Sequence, residues 1–133
     1  MGKFACSTSD PTSEETLDRS VIGQFRQADT AGLPDFALAL IDQFVEEAES
    51  QIVLLIDAGQ RGDARALKTV AHCLRGSSMT MGAKRLGALC ARMETHADEV
   101  AAGGTSDLIQ ELDREFVRVR TALAAERQGA FQQ

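Results

Sequence analysis

The strongest constraint on the fold is the absence of proline from most of the chain. The two prolines, Pro11 and Pro34, both lie within the first 34 of the 133 residues. Proline interrupts helices because it lacks a backbone N–H and clashes with the preceding turn. The last three quarters can therefore form long helices, and a chain of this length fits one domain with a single hydrophobic core.

The apolar residues also favour helices over sheets. Hydrophobic residues make up 44% of the chain, yet all six aromatic residues are Phe, and Trp and Tyr are missing. The core must therefore be built from Leu, Ala, Val, Ile and Met. Because Leu, Ala and Met are good helix formers and aromatic residues are enriched in strands, the composition predicts an all-α fold.

Apolar residues recur at helical spacing in five segments. The first is a short amphipathic segment around Leu17, Val21, Ile22 and Phe25. Four long ones follow, at residues 35–57, 64–79, 83–101 and from about 106 through Leu123. Helix breaks are expected at Gly59, Gly62, Gly82 and Gly103–Gly104, with Asp63 and either Thr105 or Ser106 as N-caps.

Short links between long amphipathic helices predict that consecutive helices are antiparallel. The expected architecture is an up-down-up-down four-helix bundle, with the short additional N-terminal helix packed across one end. We assign residues 15–128 to this domain, residues 1–14 to a polar tail or linker, and residues 129–133 to a C-terminal tail.

Charge limits the classes of partner. The net charge is −6, which argues against nucleic-acid binding and direct membrane contact. Between Arg61 and Arg92, however, there are seven basic residues and one acidic residue, Asp63. The three cysteines show no CxxC spacing, so we expect a reducing, cytoplasmic location rather than a disulfide framework.

The basic stretch contains His72, one of two histidines. On a helical wheel one narrow face is apolar and must point into the bundle: Leu67, Ala71, Leu74, Ser78 and Met81. A second face carries Arg65, Lys68, His72, Arg75, Gly76 and Met79. His72 should therefore lie outside the core, between two cations and beside a position without a side chain.

This arrangement suits a group that meets an anion. A neutral imidazole is nucleophilic near neutral pH, and flanking cations can hold phosphoryl oxygens. Gly76, one turn after His72, leaves room for another protein to approach the ring. A histidine with a purely structural role would not need that space.

The segment "AHCLRGSSMTMGAKRLGALCARME", residues 71–94, resembles the signature of histidine-containing phosphotransfer domains, or Hpt domains. In that signature an AHxLKGSS stretch is followed by Gly-Ala, a leucine, a cysteine and an acidic or amide residue. The similarity extends over residues 17–127, including Phe44 and the Gly-Asp before the histidine helix.

The resemblance implies that His72 accepts a phosphoryl group from an aspartyl phosphate on one receiver domain and passes it to the aspartate of another. Arg75 stands where the family usually has Lys, and it would balance charge together with Lys68. Glu94 would accept a hydrogen bond from Nδ1–H, leaving Nε2 to attack phosphorus. Gly76, Met79 and Ser77 are the predicted receiver-binding residues.

The resemblance also implies the cofactors and partners. The protein would bind no ATP and have no intrinsic cofactor or metal, while Mg²⁺ would sit on the partner receiver. It would transfer phosphoryl groups without kinase turnover of its own. The expected partners are response-regulator receiver domains and a hybrid sensor histidine kinase. The protein would be a cytoplasmic monomer or a domain of a membrane-tethered hybrid kinase.

Two other functions compete with this interpretation. A bundle of the same fold could dock a receiver domain or histidine kinase without transferring phosphate. A metal or redox site could instead be formed by His72, His96, Cys73 and Cys90, although these side chains would have to converge from opposing faces.

Ser77 and Ser78 have no base spaced for a catalytic triad, so their hydroxyls are expected to bond to the backbone. Cys73 and Cys90 are expected in the core or at helix interfaces.

Overall fold

The computed structural model describes residues 16–30, 36–103 and 106–132, and these form six helices. They are α1 (Arg19–Thr30), α2 (Phe36–Arg61), α3 (Ala64–Met81), α4 (Lys84–Thr95), α5 (Ala97–Ala101) and α6 (Ser106–Gln132). No strand occurs in the described ranges. The predicted tail at residues 1–14 lies outside them, whereas α6 continues through residues 129–132.

Helices α2, α3, α4 and α6 form the predicted bundle. Helix α2 packs against α3 and α6, and α4 packs against the same two helices. All five apolar-stripe residues of α3 are buried, as the helical wheel predicted. The core is mainly aliphatic, and the largest fully buried side chains include Leu55, Leu67, Leu74, Leu86, Met93, Leu112 and Leu123.

The predicted N-cap at Asp63 and the predicted break at Gly82 are confirmed for α3, although the helix continues to Met81, beyond the predicted end at residue 79. The Asp63 carboxylate caps the first turn by accepting a hydrogen bond of 3.0 Å from the Ala66 N–H. At the other end Gly82 has a φ of 86°, and the Ala83 N–H donates back to the Ser78 carbonyl at 2.8 Å. These caps hold α3 between two tight turns.

Helix α1 covers one end of the bundle, as predicted. The Asp18 N–H, just before α1, donates to the Gly82 carbonyl at 2.7 Å, and the Asp18 carboxylate pairs with Lys84 at 3.0 Å. A Cβ on Gly82 would come within 3.1 Å of the Asp18 carbonyl, so this approach also needs glycine. On its other side α1 pairs Arg26 with Glu126 of α6.

Two other helix boundaries also differ from the prediction. Helix α2 does not stop near Asp57 but continues to Arg61, so Gly59 lies inside it. The predicted helix over residues 83–101 is interrupted at His96, which separates α4 from α5. The interruption is limited to one residue, because the His96 N–H still donates to the Arg92 carbonyl at 2.9 Å and its own carbonyl accepts from Val100 at 3.0 Å.

Candidate functional site

His72 lies on the solvent side of α3. Its neighbours Ala71 and Leu74 face the bundle and are fully buried, whereas 66% of the His72 side chain is exposed. The helical repeat that buries the apolar stripe therefore turns the imidazole outward. A partner protein can reach the ring directly.

Glu94 on α4 holds the His72 ring from the side. Its Oε2 lies 2.9 Å from Nδ1 of His72. An ionised carboxylate can only accept hydrogen bonds, so Nδ1 must carry the proton in this contact. The lone pair of the neutral imidazole is then on Nε2, which forms no hydrogen bond within the described part of the chain. Nε2 is then the ring nitrogen with a free lone pair, on an imidazole side chain that is 66% exposed.

Arg75 is joined to the same carboxylate. Its Nε lies 2.9 Å from Oε1 of Glu94, so Glu94 bridges the arginine and the histidine. One terminal guanidinium nitrogen of Arg75 also lies 3.4 Å from Nδ1 of His72. Because Nδ1 already donates to Glu94, it has no lone pair for this second donor, and we interpret the approach as a contact without a hydrogen bond.

Lys68 completes the basic surroundings one turn before His72. Its side chain is exposed and enters no ion pair with another described residue. The two predicted cations therefore differ: Arg75 is fixed by a carboxylate, whereas the Lys68 ammonium group is solvated. The helical spacing predicts both cations beside His72 but does not predict the Arg75–Glu94 pair.

Gly76 leaves an open surface next to the imidazole. No heavy atom lies within 4 Å of the position that a Cβ would occupy, so packing inside this chain does not require glycine there. Met79, one turn further on, is 50% exposed. Together they provide a flat, partly apolar surface on the same side of α3 as His72.

Gly87 of α4 supports Met79 and was missed in the sequence. A Cβ at Gly87 would lie 2.6 Å from the Met79 sulfur, so the missing side chain lets the methionine lie against α4. A glycine inside an amphipathic helix was the available signal, because such a glycine often marks a close approach of two elements. The partner across the helix pair could not be identified from spacing alone.

Ser77 is not brought to the imidazole. At about 100° per residue it lies well around the helix from His72, and its hydroxyl donates to the Cys73 carbonyl at 3.2 Å, as expected. Ser78 is fully buried, but its Oγ has no hydrogen-bond partner among the described residues. The expected backbone bond of Ser78 is therefore absent.

The two described cysteines have different environments. Cys90 is buried, and burial, reinforced by the nearby Glu94 charge, raises the pKa of its thiol to about 12. Cys73 is exposed, so its predicted place in the core or a helix interface is wrong. It follows His72 directly and lies on the outer part of α3, where the helical repeat leaves it outside the apolar stripe.

His96 offers a comparison within the same chain. Its Nδ1 lies 2.9 Å from Oε1 of Glu99, and 47% of its side chain is exposed. The histidine–carboxylate contact is thus not unique to His72. What distinguishes His72 is the adjoining Arg75, which contacts the same glutamate, together with Lys68 and the open surface at Gly76.

Within the three described ranges, no group of three or more His, Cys, Asp or Glu side chains is arranged to hold a metal ion. None of the helices described here has an apolar stretch long enough to cross a bilayer.

Comparisons with known proteins identify the family of the chain. The family model described as "Hpt domain" matches residues 39–129. In the crystal structure of histidine-containing phosphotransfer protein B (HptB) from Pseudomonas aeruginosa, the similar chain is 34% identical, with a TM-score of 0.75. That match covers 85% of the present chain and 95% of the HptB chain.

Two curated proteins are also similar. "Multistep phosphorelay regulator 1" of Schizosaccharomyces pombe is 26% identical over 98 residues, and "Histidine-containing phosphotransfer protein 5" of Arabidopsis thaliana is 26% identical over 103 residues. These matches cover 74% and 75% of the present chain. The chain spans 33% of the yeast protein's length and 66% of the plant protein's length.

Proposed function

The chain belongs to the Hpt domain family, and on this premise we propose that it acts as a phosphorelay intermediate that carries a phosphoryl group on His72. The donor would be an aspartyl phosphate on one receiver domain, and the acceptor would be the aspartate of another. The observation that carries the proposal is the exposed His72 ring, with Nδ1 held 2.9 Å from Glu94 and Nε2 open to solvent.

In the first transfer Nε2 of His72 attacks the phosphorus atom. The N–P bond forms while the P–O bond to the donor aspartate breaks, and the electron pair leaves with the aspartate carboxylate. The proton stays on Nδ1, so no proton has to move during the step. Glu94 balances the positive charge that the imidazole ring gains, and it fixes the orientation of the ring. In the second transfer the acceptor aspartate attacks, and the N–P bond breaks.

Arg75 and Lys68 would balance the charge of the phosphoryl oxygens. Arg75 keeps its guanidinium close to the ring by pairing with Glu94 through Nε, which leaves its other N–H groups for phosphoryl oxygens. Lys68 brings a solvated ammonium group from the preceding turn. The Mg²⁺ that assists transfer would belong to the receiver domain, and the present chain would contribute no metal of its own.

Gly76 and Met79 would form the centre of the receiver-docking surface. The open space at Gly76 allows a receiver to approach the histidine helix closely, and the half-exposed Met79 offers an adaptable apolar contact. Receiver domains are the partner class that this surface fits. We further propose a cytoplasmic monomer, acting alone or as one domain of a hybrid sensor kinase.

The proposal can be tested by phosphotransfer from a purified, phosphorylated receiver domain. The wild-type protein, His72→Gln and His96→Gln would be incubated with the receiver, and acid-labile label on each would be measured. His96 is a matched control because it is also exposed and also contacts a glutamate through Nδ1 at 2.9 Å. We expect label on the wild type and His96→Gln and none on His72→Gln.

Label on His72→Gln would show that another residue is the acceptor. If receivers from the same cell bind the wild type but none labels it, the chain is a docking module that transfers no phosphate. Circular dichroism and urea unfolding of both variants would confirm that the bundle is intact. Because both substitutions are on exposed side chains, we expect unfolding free energies within about 0.5 kcal/mol of the wild type.

A further inference from the structure

A second polar surface lies between α4 and α6. It is a groove of about 420 Å³, lined mainly by charged side chains. We call it the arginine groove and define it by six residues: Arg85, Arg92, Glu111, Arg114, Glu115 and Arg118. It lies on the side of α4 that faces α6, whereas Glu94 of the same helix reaches across to His72 on α3.

The floor of the arginine groove is organised by a buried carboxylate. Glu115 is 1% exposed, and its Oε1 accepts a hydrogen bond of 2.7 Å from Arg118. Arg85 approaches the same oxygen at 4.0 Å, while Oε2 of Glu115 has no hydrogen-bond partner in the described part of the chain. Burying a carboxylate costs free energy unless cations accompany it. The buried Glu115 carboxylate therefore favours the positions of Arg118 and Arg85 beside it.

The groove nevertheless retains an excess of positive charge. Arg92 lies 3.8 Å from Glu111, beyond hydrogen-bond distance, and both side chains are more than half exposed. Arg114 forms no ion pair with another described residue. Arg92 and Arg114 thus carry positive charge that no carboxylate engages at hydrogen-bond distance in the described ranges, on the surface of a chain whose net charge is −6. Each of these two guanidinium groups has several N–H donors available.

We propose that the arginine groove binds a compact oligophosphate group, either free or as part of a nucleotide. Binding of a nucleotide such as ATP here would depart from the family-based expectation that the chain binds no ATP. Guanidinium groups form paired hydrogen bonds to phosphate, and Arg92 on α4 and Arg114 on α6 can each hold a phosphoryl group from adjacent helices. The groove volume of about 420 Å³ lies within the range of small-molecule sites, about 300–1,000 Å³. The site is separate from His72 and does not depend on phosphotransfer.

The proposal can be tested by titrating the full chain with tripolyphosphate and, separately, with ATP without Mg²⁺, by calorimetry. The test variant is Arg92→Gln/Arg114→Gln, because neither arginine contacts Glu115 and the buried carboxylate keeps its partners. The control is Arg61→Gln/Arg120→Gln, which removes the same charge from other surfaces, where these arginines pair with Asp57 and Glu49.

We expect saturable binding of tripolyphosphate by the wild type and the control, with at least about tenfold weaker binding by the test variant. Tighter binding of ATP than of tripolyphosphate would identify a nucleotide as the source of the phosphates, and equal binding would identify the free oligophosphate. Equal weakening in the two double variants would overturn the proposal, because binding would then follow net charge alone. So would the lack of saturable binding to the wild type below about 1 mM.

Discussion

Replacing Gly76 with alanine should separate the stability of the bundle from its ability to dock a receiver. Gly76 lies inside α3, where glycine is normally a poor choice because its unfolded backbone has the most freedom to lose. If the residue is glycine because a partner must approach the helix, the alanine variant will fold better and transfer less well. The two effects have opposite signs and can be measured independently.

The structure sets the size of each effect. Since no heavy atom lies within 4 Å of the new Cβ, Gly76→Ala adds no clash and should raise the unfolding free energy by about 0.5–1 kcal/mol. In the receiver complex the same methyl group would enter a packed contact, which costs about 1–3 kcal/mol, or about 5- to 150-fold in binding. Gly76→Gln, which adds a larger side chain, should weaken receiver binding more than Gly76→Ala.

The stability gain can be measured by urea unfolding at constant m-value, and docking by the receiver concentration needed for half-maximal phosphotransfer. Gly23→Ala is the matched control, because Gly23 also lies inside a helix with open space around its Cβ position. It should gain stability without weakening transfer. Transfer by Gly76→Ala at the wild-type level would refute the role assigned to this glycine, and a loss of stability would refute the open geometry.

Three further predictions concern single side chains. Glu94→Ala should slow phosphotransfer at least about tenfold, because the imidazole loses the acceptor that fixes its Nδ1–H tautomer, and nitrogen NMR should detect the change in tautomer. The hydrogen bond from the Ser20 hydroxyl lowers the pKa of Asp18 from 3.8 to about 2. The stabilisation from the ionised Asp18 is therefore complete above about pH 4 and disappears as the pH falls through about 2. The thermal midpoints of the wild type and Asp18→Asn should converge over that interval. A thiol reagent at pH 8 should modify the exposed Cys73 in the native protein and reach Cys90 only on unfolding. The reason is that Cys90 is buried and that burial raises the pKa of its thiol to about 12. Peptide mass spectrometry would identify the modified residues.

Local signals in the sequence predicted the fold well. The N-cap at Asp63 and the left-handed residue at Gly82 depend on a few neighbouring residues, and both were found where the pattern put them. Gly59 misled the prediction because a glycine can end a helix or admit a neighbour. Here it admits one: a Cβ at Gly59 would lie 2.6 Å from Cδ1 of Ile109 on α6. The choice depends on a contact between helices far apart in the chain.

In the candidate site, too, features within one helix were predicted from spacing, whereas contacts between two helices were not. The helical wheel alone placed His72 outside the core beside Lys68 and Arg75, because all three belong to one helix. The position of Glu94 relative to the ring came from the family resemblance, since it joins two helices. The Arg75–Glu94 pair and the support of Met79 by Gly87 were not anticipated, because wheel geometry does not give the distance between side chains on separate helices.

The bridge from Glu94 to His72 makes the chemistry of the histidine a property of two helices together. A peptide containing only α3 would expose the imidazole and keep Arg75 and Lys68, yet it would lack the Glu94 carboxylate, which on the proposed function selects the reactive tautomer. Likewise, a chain whose α4 had separated from α3 would still offer a histidine to a receiver. Phosphoryl transfer would then report on the docking of α4, so a partly unfolded protein would be a poor acceptor even while its histidine remains accessible.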